Sequence, residues 1–450
     1  MKKQKRDYPE FTKEMKKDYT ILIPNMCSIH FEMLKNVFVN HGYKVELLTS
    51  TGREIVDEGL RYVHNDTCYP ALLCVGQLMD ALHSGRYDLK KTALIMSQTG
   101  GGCRASNYIH LLRKALRADG LGDIPVISLS AQGLEKHSGF KLSLPMLRQA
   151  LAALTYGDML MLLSNQCRPY ECGAGETDAL VEYWIARFQG LFLRGKAYQK
   201  RSMAAYLREI AESFAKLPRA ERDVVKVGVV GEIYVKYSPL ANNELEKFLA
   251  SQGCEVMVPG LLGFLLYCTD NPIQDIDLYG GGKFRRAVLT LAARFLRGYE
   301  GMIIDAVERE GSFRAPWRHE RLFEEGKRVI GSGCKMGEGW LLTAEMVELI
   351  EQGYGNIVCA QPFGCLPNHI VGKGMIRKLR GMYAQANIVA IDYDPGATRV
   401  NQENRIKLML AVAREGIAGE TQPAAPAASD LPAAAVPAEP AEPAVIRAAS

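Results

Sequence analysis

The feature that most constrains the fold is a recurring alternation of short, nearly all-apolar runs with helical stretches. Residues 20–26 (TILIPNM) read as a strand ending at Pro24 and Asn25, residues 29–40 as a helix closed by His41 and Gly42, and residues 43–49 (YKVELLT) as the next strand. Strands that are apolar on both faces belong in a parallel sheet covered on both sides. The rhythm continues through TALIMSQ (92–98) and IPVISLS (124–130). It returns in the second half as VVKVGVVGEIY (224–234), CEVMVPG (254–260), NIVCA (356–360) and NIVAIDYD (387–394). Helices are expected over 106–118, from Pro145 onward, through most of 177–216, and over 242–251, 284–297, 320–327, 343–351 and 401–413.

A chain of 450 residues has room for two or three such units, each with its own core. The expected class is α/β, with two or more Rossmann-like parallel-sheet domains joined by a helical segment. The expected divisions are a basic lead-in (1–17), a first α/β domain (18–170), a helical connector (171–222), a second α/β region that allows two subdomains (223–416), and an Ala/Pro-rich disordered tail (417–450).

The formal net charge is +5, and the first seventeen residues supply +4 of it, with seven basic and three acidic side chains. The rest is nearly balanced, so nothing calls for a nucleic-acid partner. No uninterrupted apolar window reaches the length of a membrane span. The lysines at the start have no apolar stretch behind them, unlike a secretory signal. The expected setting is a reducing cytoplasm, where the eleven cysteines need a role other than disulfides.

Four cysteines share a placement just ahead of a predicted helix: Cys68 in NDTCYP, Cys103 in QTGGGCRASNY, Cys334 in GSGCKMGEGW and Cys365 in PFGCLPNH. The helix after Cys365 is expected to run to about residue 383. Loops of this kind lie at the carboxyl edge of a parallel sheet, where ligands bind. A helix N-terminus is expected to favour a thiolate over a thiol. Glycines beside Cys103, Cys334 and Cys365 let backbone approach a bulky inorganic ligand, so the set reads either as iron–sulfur ligands or as buried capping thiols. Zinc is a further metal reading, without a CxxC pair to support it. Cys359, on the strand itself, reads as a fifth ligand or as packing.

Cys167 and Cys172 flank RPYE, a metal, substrate or structural loop in which Arg168 and Glu171 are expected to pair. Cys27, Cys74, Cys254 and Cys268 lie in or beside apolar runs and read as core. The run of Gly100, Gly101 and Gly102, with Arg104 after it, reads equally as a tight turn and as a cradle for a substrate anion such as a coenzyme A phosphate. No lysine occupies the P-loop position. Glu232, at a strand end, reads as an acid–base group or a helix cap. His369 reads as a proton donor or a cap, and Asp394 as a turn residue beside Asp392.

The combination of NDTCYPALL, QTGGGCRASNY, RPYE with GETDAL, GEIYVKYSP, GCKMGEGW, QPFGCLPNHIVGKGMIR, IDYDPGAT and NQENRIKLML resembles the 2-hydroxyacyl-CoA dehydratase superfamily. It is most similar to the non-ATPase portion of the large CoA-enzyme activase proteins, and the resemblance runs from about residue 20 to 413. The resemblance implies Rossmann-like domains with an iron–sulfur centre between them, either a 4Fe-4S cluster or a double-cubane 8Fe-9S cluster. It implies ligand roles for Cys68, Cys103, Cys334 and Cys365, with Cys359 as a further candidate. It also implies a separate ATP-hydrolysing iron–sulfur activase as electron donor, an acyl-CoA or other small substrate, and a homodimer. The chain lacks the ATPase modules of the full-length relatives. Three functional classes follow as expectations: an iron–sulfur reductase or dehydratase-like lyase, a non-catalytic electron-transfer or assembly partner, and a metal-free α/β binding protein with structural cysteines.

Overall fold

The computed structural model describes residues 8–99, 101–130, 135 and 137–420. Residues 421–450 of the expected tail and 1–7 of the basic lead-in lie outside these residues; residues 417–420, expected in the tail, instead continue the helix Arg399–Glu420. Eight strands form two parallel sheets. The first holds β1 (Thr20–Pro24), β2 (Lys44–Leu48), β3 (Thr92–Ser97) and β4 (Val126–Leu129) in the order β2-β1-β3-β4. The second holds β5 (Val225–Gly231), β6 (Cys254–Met257), β7 (Asn356–Pro362) and β8 (Asn387–Tyr393) in the order β6-β5-β7-β8. The topology is thus the same twice. In each half the strand order reverses beside the first strand, and the crossover into the third strand ends in a strongly buried helix, Tyr69–His83 or Trp340–Glu351. The α/β class and the parallel sheets expected from the strand pattern are what the fold contains.

Helix Leu144–Cys167 binds the two sheets together. Ser143 caps it, its hydroxyl accepting from Met146 N at 3.3 Å, and Pro145 occupies the first turn. Every residue from 155 to 167 is buried. One side of the helix joins a core that holds Ile21, Ile95 and Ile127 of the first sheet together with Ile357 and Ile388 of the second. Met161, on its other side, enters the core that contains Leu94 and Val358. A helix apolar all round is a core element. Helices Glu176–Leu193 and Lys200–Ala215 lie over it, with Phe188 stacked on Tyr156 at 3.8 Å between ring centroids.

Several expectations need correction. Helices Arg53–Tyr62 and Leu261–Tyr279 were not anticipated. The first is mostly polar, with a narrow buried stripe of Ile55, Val56 and Gly59; the second carries Pro272 in its interior. The path after Cys365 is not one helix. It is a π-helical turn over Asn368–Gly372, a 3-10 turn over Lys373–Met375, and a short helix over Ile376–Met382. Cys68 and Cys334 sit between two helices rather than after a strand.

Helix Trp340–Glu351 carries two acids into the interior. Glu345 pairs with Lys236 at 3.0 Å, and Glu348 accepts from Trp317 N at 2.7 Å. Burial, with Glu345 and Glu300 adding to it, pushes the Glu348 carboxyl up to about 7.

Two outcomes follow. Leu160→Ala empties space in the core shared by the sheets and should lower the unfolding free energy by about 2–5 kcal/mol, measured by urea titration. The protonated form of Glu348 is the one favoured by the fold. Its contribution to stability is therefore complete below the ordinary glutamate pKa and is lost as pH rises through about 7. Glu348→Gln should flatten the fall in melting temperature over that window, and an unchanged profile would contradict the assignment.

Candidate metal centre

The duplicated topology puts two pairs of cysteines in matching places. Cys103 and Cys365 follow β3 and β7, the third strands of their sheets. Cys68 and Cys334 precede the buried helices that lead into those same strands. All four loops therefore lie at the carboxyl edges of the sheets. Cys68 is held there by close packing of its helix on Arg53–Tyr62. A Cβ on Gly59 would stand 2.3 Å from Leu72 O, and one on Gly76 would stand 2.2 Å from Ile55 O.

The four loops touch in a closed ring. Tyr69 N donates to Phe363 O at 3.2 Å, joining the Cys68 turn to the Cys365 turn. Gly364 makes that approach feasible, with φ +77° and Thr67 O only 3.2 Å from where a Cβ would stand. The Arg104 guanidinium, next to Cys103, donates to Asp66 O at 2.8 Å and to Thr67 O. Gly102 lies against the methyl of Met336, and Gly337 lies against Pro367, so the Cys334 loop meets both the Cys103 and the Cys365 loops.

Cys68, Cys103 and Cys365 share one electrostatic environment with Glu232 and Glu338. Cys68 Sγ is 3.0 Å from Tyr108 Oη. Asn368 Nδ2 lies 3.4 Å from Cys365 Sγ and 3.4 Å from Glu338 Oε2, and it donates to both. Glu338 Oε1 also accepts from Ile233 N at 2.9 Å. Glu232 caps the short helix Ile233–Tyr237, accepting from Val235 N at 2.9 Å.

Burial pushes the Cys68 thiol up to about 12, and the Glu232 carboxylate adds to the effect. Burial raises Cys365 and Cys103 as well, Cys365 with help from Glu338 and then Glu232. Burial also raises Glu232 and Glu338 themselves. At Cys68, Cys103 and Cys365 the expected preference for thiolate is therefore reversed. Desolvation and two carboxylates outweigh the helix ends.

The other candidates fall out as follows. Cys334 is exposed, and its carbonyl accepts from Trp340 N at 2.7 Å. Cys359 is fully buried in β7, its Sγ 3.2 Å from where a Cβ on Gly372 would stand, and it takes no part in the ring contacts. Gly100 lies outside the described residues. Gly101 faces open space, its carbonyl accepting from Ser106 Oγ at 2.8 Å. Arg104 spends a guanidinium nitrogen on the carbonyls of the Cys68 turn.

Arg168 does not pair with Glu171. It bonds Asp178 at 2.8 Å and Asn165 at 2.6 Å, while Glu171 accepts from Gly175 N and Thr177 N at the start of the next helix. The turn geometry favours local backbone partners for that carboxylate. Cys167 is buried and Cys172 exposed. Cys27, Cys74 and Cys254 are buried as expected, but Cys268 is exposed. Asp394 serves its turn, accepting from Gly396 N at 2.6 Å and Ala397 N at 2.9 Å. His369 contacts Gln361.

Sequence reasoning passed over Glu338, Tyr108 and Asn368. Only the acid between two glycines in GEGW carried a signal.

Among the described residues, no group of three or more His, Cys, Asp or Glu side chains is arranged around a single metal ion. Such a site needs ligands about 2.0–2.3 Å from one centre.

Gly364→Ala tests whether the ring is closed by that contact. A side chain in the left-handed region costs about 1–2 kcal/mol, and this one also presses on Thr67 O. Expected outcomes are a lower melting temperature and faster alkylation of Cys68 by iodoacetamide. Gly101→Ala, which meets open space, should change neither.

Compared with known proteins, the chain matches no family model and no curated sequence.

Proposed function

We propose that the chain is an iron–sulfur protein of the 2-hydroxyacyl-CoA dehydratase and activase type, with Cys68, Cys103, Cys334 and Cys365 as cluster ligands. The observation that carries this reading is the closed ring of four cysteine loops, two from each half of a duplicated fold. Four thiols suit a 4Fe-4S cluster. An 8Fe-9S cluster needs further donors, and Cys359 lies away from the ring. When bound, the cluster supplies one-electron transfer at low potential and Lewis acidity.

The residues of this chain prepare that chemistry. Raised thiol pKa values mean that ligation must displace protons, which the charge of iron favours. Tyr108 fixes Cys68 Sγ, and Asn368 fixes Cys365 Sγ. Burial favours the protonated forms of Glu232 and Glu338 beside the sulfurs. The ring contacts keep water from Cys68 and Cys365, which are buried. Electrons come from a separate ATP-hydrolysing iron–sulfur activase, the donor that the family resemblance implies. They pass to a small substrate, such as an acyl-CoA, or to a partner enzyme. The proposed setting is the cytoplasm, and the proposed assembly is a homodimer.

A second reading is a metal-free α/β binding protein. The burial of Cys68 and Cys365, which favours their neutral thiols, supports it.

Iron and acid-labile sulfide per chain, measured after anaerobic purification, separate the two. A 4Fe-4S protein gives about four of each and a visible spectrum bleached by dithionite. Serine at Cys68, Cys103 or Cys365 should lower the iron content, while Cys359→Ser should leave it intact. A colourless protein that resists anaerobic reconstitution overturns the cluster.

A further inference from the structure

We propose that Cys27, His30 and Asp158 form a second site, in which Cys27 is a nucleophile that accepts an acyl group from an activated acyl donor, an ester or thioester. Cys27 follows β1 at the point where the order of the first sheet reverses, and it is the N-cap of the thirteen-residue helix Ser28–Asn40. Unpaired first-turn N–H groups gather at that end and favour developing negative charge.

Cys27 Sγ is 2.8 Å from His30 Nδ1, and His30 Nε2 is 2.7 Å from Asp158 Oδ1. Asp158 is fixed in turn by Leu261 N at 2.7 Å and Leu262 N at 2.8 Å. The line of thiol, imidazole and carboxylate spans helices Ser28–Asn40, Leu144–Cys167 and Leu261–Tyr279. It matches the arrangement that activates cysteine nucleophiles on unrelated folds.

The surroundings are shaped around the triad. A Cβ on Gly157 would stand 2.4 Å from the His30 ring, and one on Gly260 would stand 2.8 Å from the Asp158 carboxyl. His30 is fully buried. Burial alone would lower its pKa, but Cys27 and then the bond to Asp158 outweigh burial and push it up to about 10. The other titratable groups whose fields reach the triad are Glu246 and Tyr237. Cys27 also lines a cavity of about 410 Å³, with Met161, Tyr237 and Val256 as apolar wall and Arg168, Glu246 and Lys247 as charged groups at its margin. The site is therefore a buried nucleophile beside a space for a mid-sized group with an apolar body and a polar or charged end. It takes no part in the ring of cysteine loops.

The step balances without a redox partner. The proton shared by Cys27 and His30 sits on His30 Nδ1, the charged form that the pair favours, as Sγ bonds to the acyl carbon. The bond from acyl carbon to the donor's oxygen or sulfur breaks, and the leaving group departs with the electron pair and receives that proton. Cys27 is left as a thioester. Cys27 and His30 are the catalytic residues; Asp158 is a positioning residue.

The probe is p-nitrophenyl acetate, added anaerobically to the full chain, with acetylation mapped peptide by peptide. The expected result is about one equivalent of rapid p-nitrophenolate release per chain, with acetyl on Cys27 formed roughly a hundredfold faster than on buried Cys254. Cys27→Ser should abolish the burst and leave iron content unchanged. Asp158→Asn should shift the pH profile of Cys27 acetylation, which a purely structural carboxylate would not do. Acetyl confined to exposed Cys172, Cys268 and Cys334 in natively folded wild-type protein overturns the proposal, whatever the variants do.

Discussion

The structure depends on a helix that has no solvent face from residue 155 to its end. Leu144–Cys167 must find a partner for every side chain beyond its second turn, and it finds them on both sheets at once. A helix buried in this way cannot shift against one half without opening cavities in the other, because interiors are packed to near-crystalline density. It also carries Asp158, which joins His30 of the first half to the amides that open helix Leu261–Tyr279 of the second. The main-chain bond from Tyr69 to Phe363 and the Arg104 contacts then act across edges already set side by side.

The chemistry of the ring follows from burial. Thiols and carboxyls taken out of water are driven toward their neutral forms, and two acids beside three thiols strengthen that drive. Lys236 offsets part of that drive at Glu232 and Glu338, and the bonds to Tyr108 and Asn368 offset part of it at Cys68 and Cys365. The same low dielectric acts differently at His30, where a thiol and a carboxylate flank one imidazole and favour its charged form.

Duplication organises both sites. In each half the strand order reverses beside the first strand, and the loops after the first and third strands flank that point. Cys27 and Cys103 occupy those loops in the first half, and Glu232 and Cys365 occupy them in the second. One scaffold thus presents sulfur at three of four equivalent edges and a carboxylate at the fourth.

Much of this was legible in the chain itself. Apolar runs separated by glycine-rich loops determined eight parallel strands, since only a sheet covered on both faces accommodates strands apolar on both sides. The position of Cys103 and Cys365 after strands was readable for the same reason. What tertiary structure decided was proximity. No local pattern shows that Gly364 would meet Thr67, or that Glu338 would stand beside Cys365, because contacts between distant segments arise from the packing of whole helices. The reversal of the expected thiolate preference has the same origin: helix ends are read from sequence, but desolvation is a property of the surroundings. Cys27 shows the limit most plainly. In sequence it is one cysteine in an apolar run; its relation to Asp158 exists only because a buried helix brings the carboxylate to within 2.7 Å of His30.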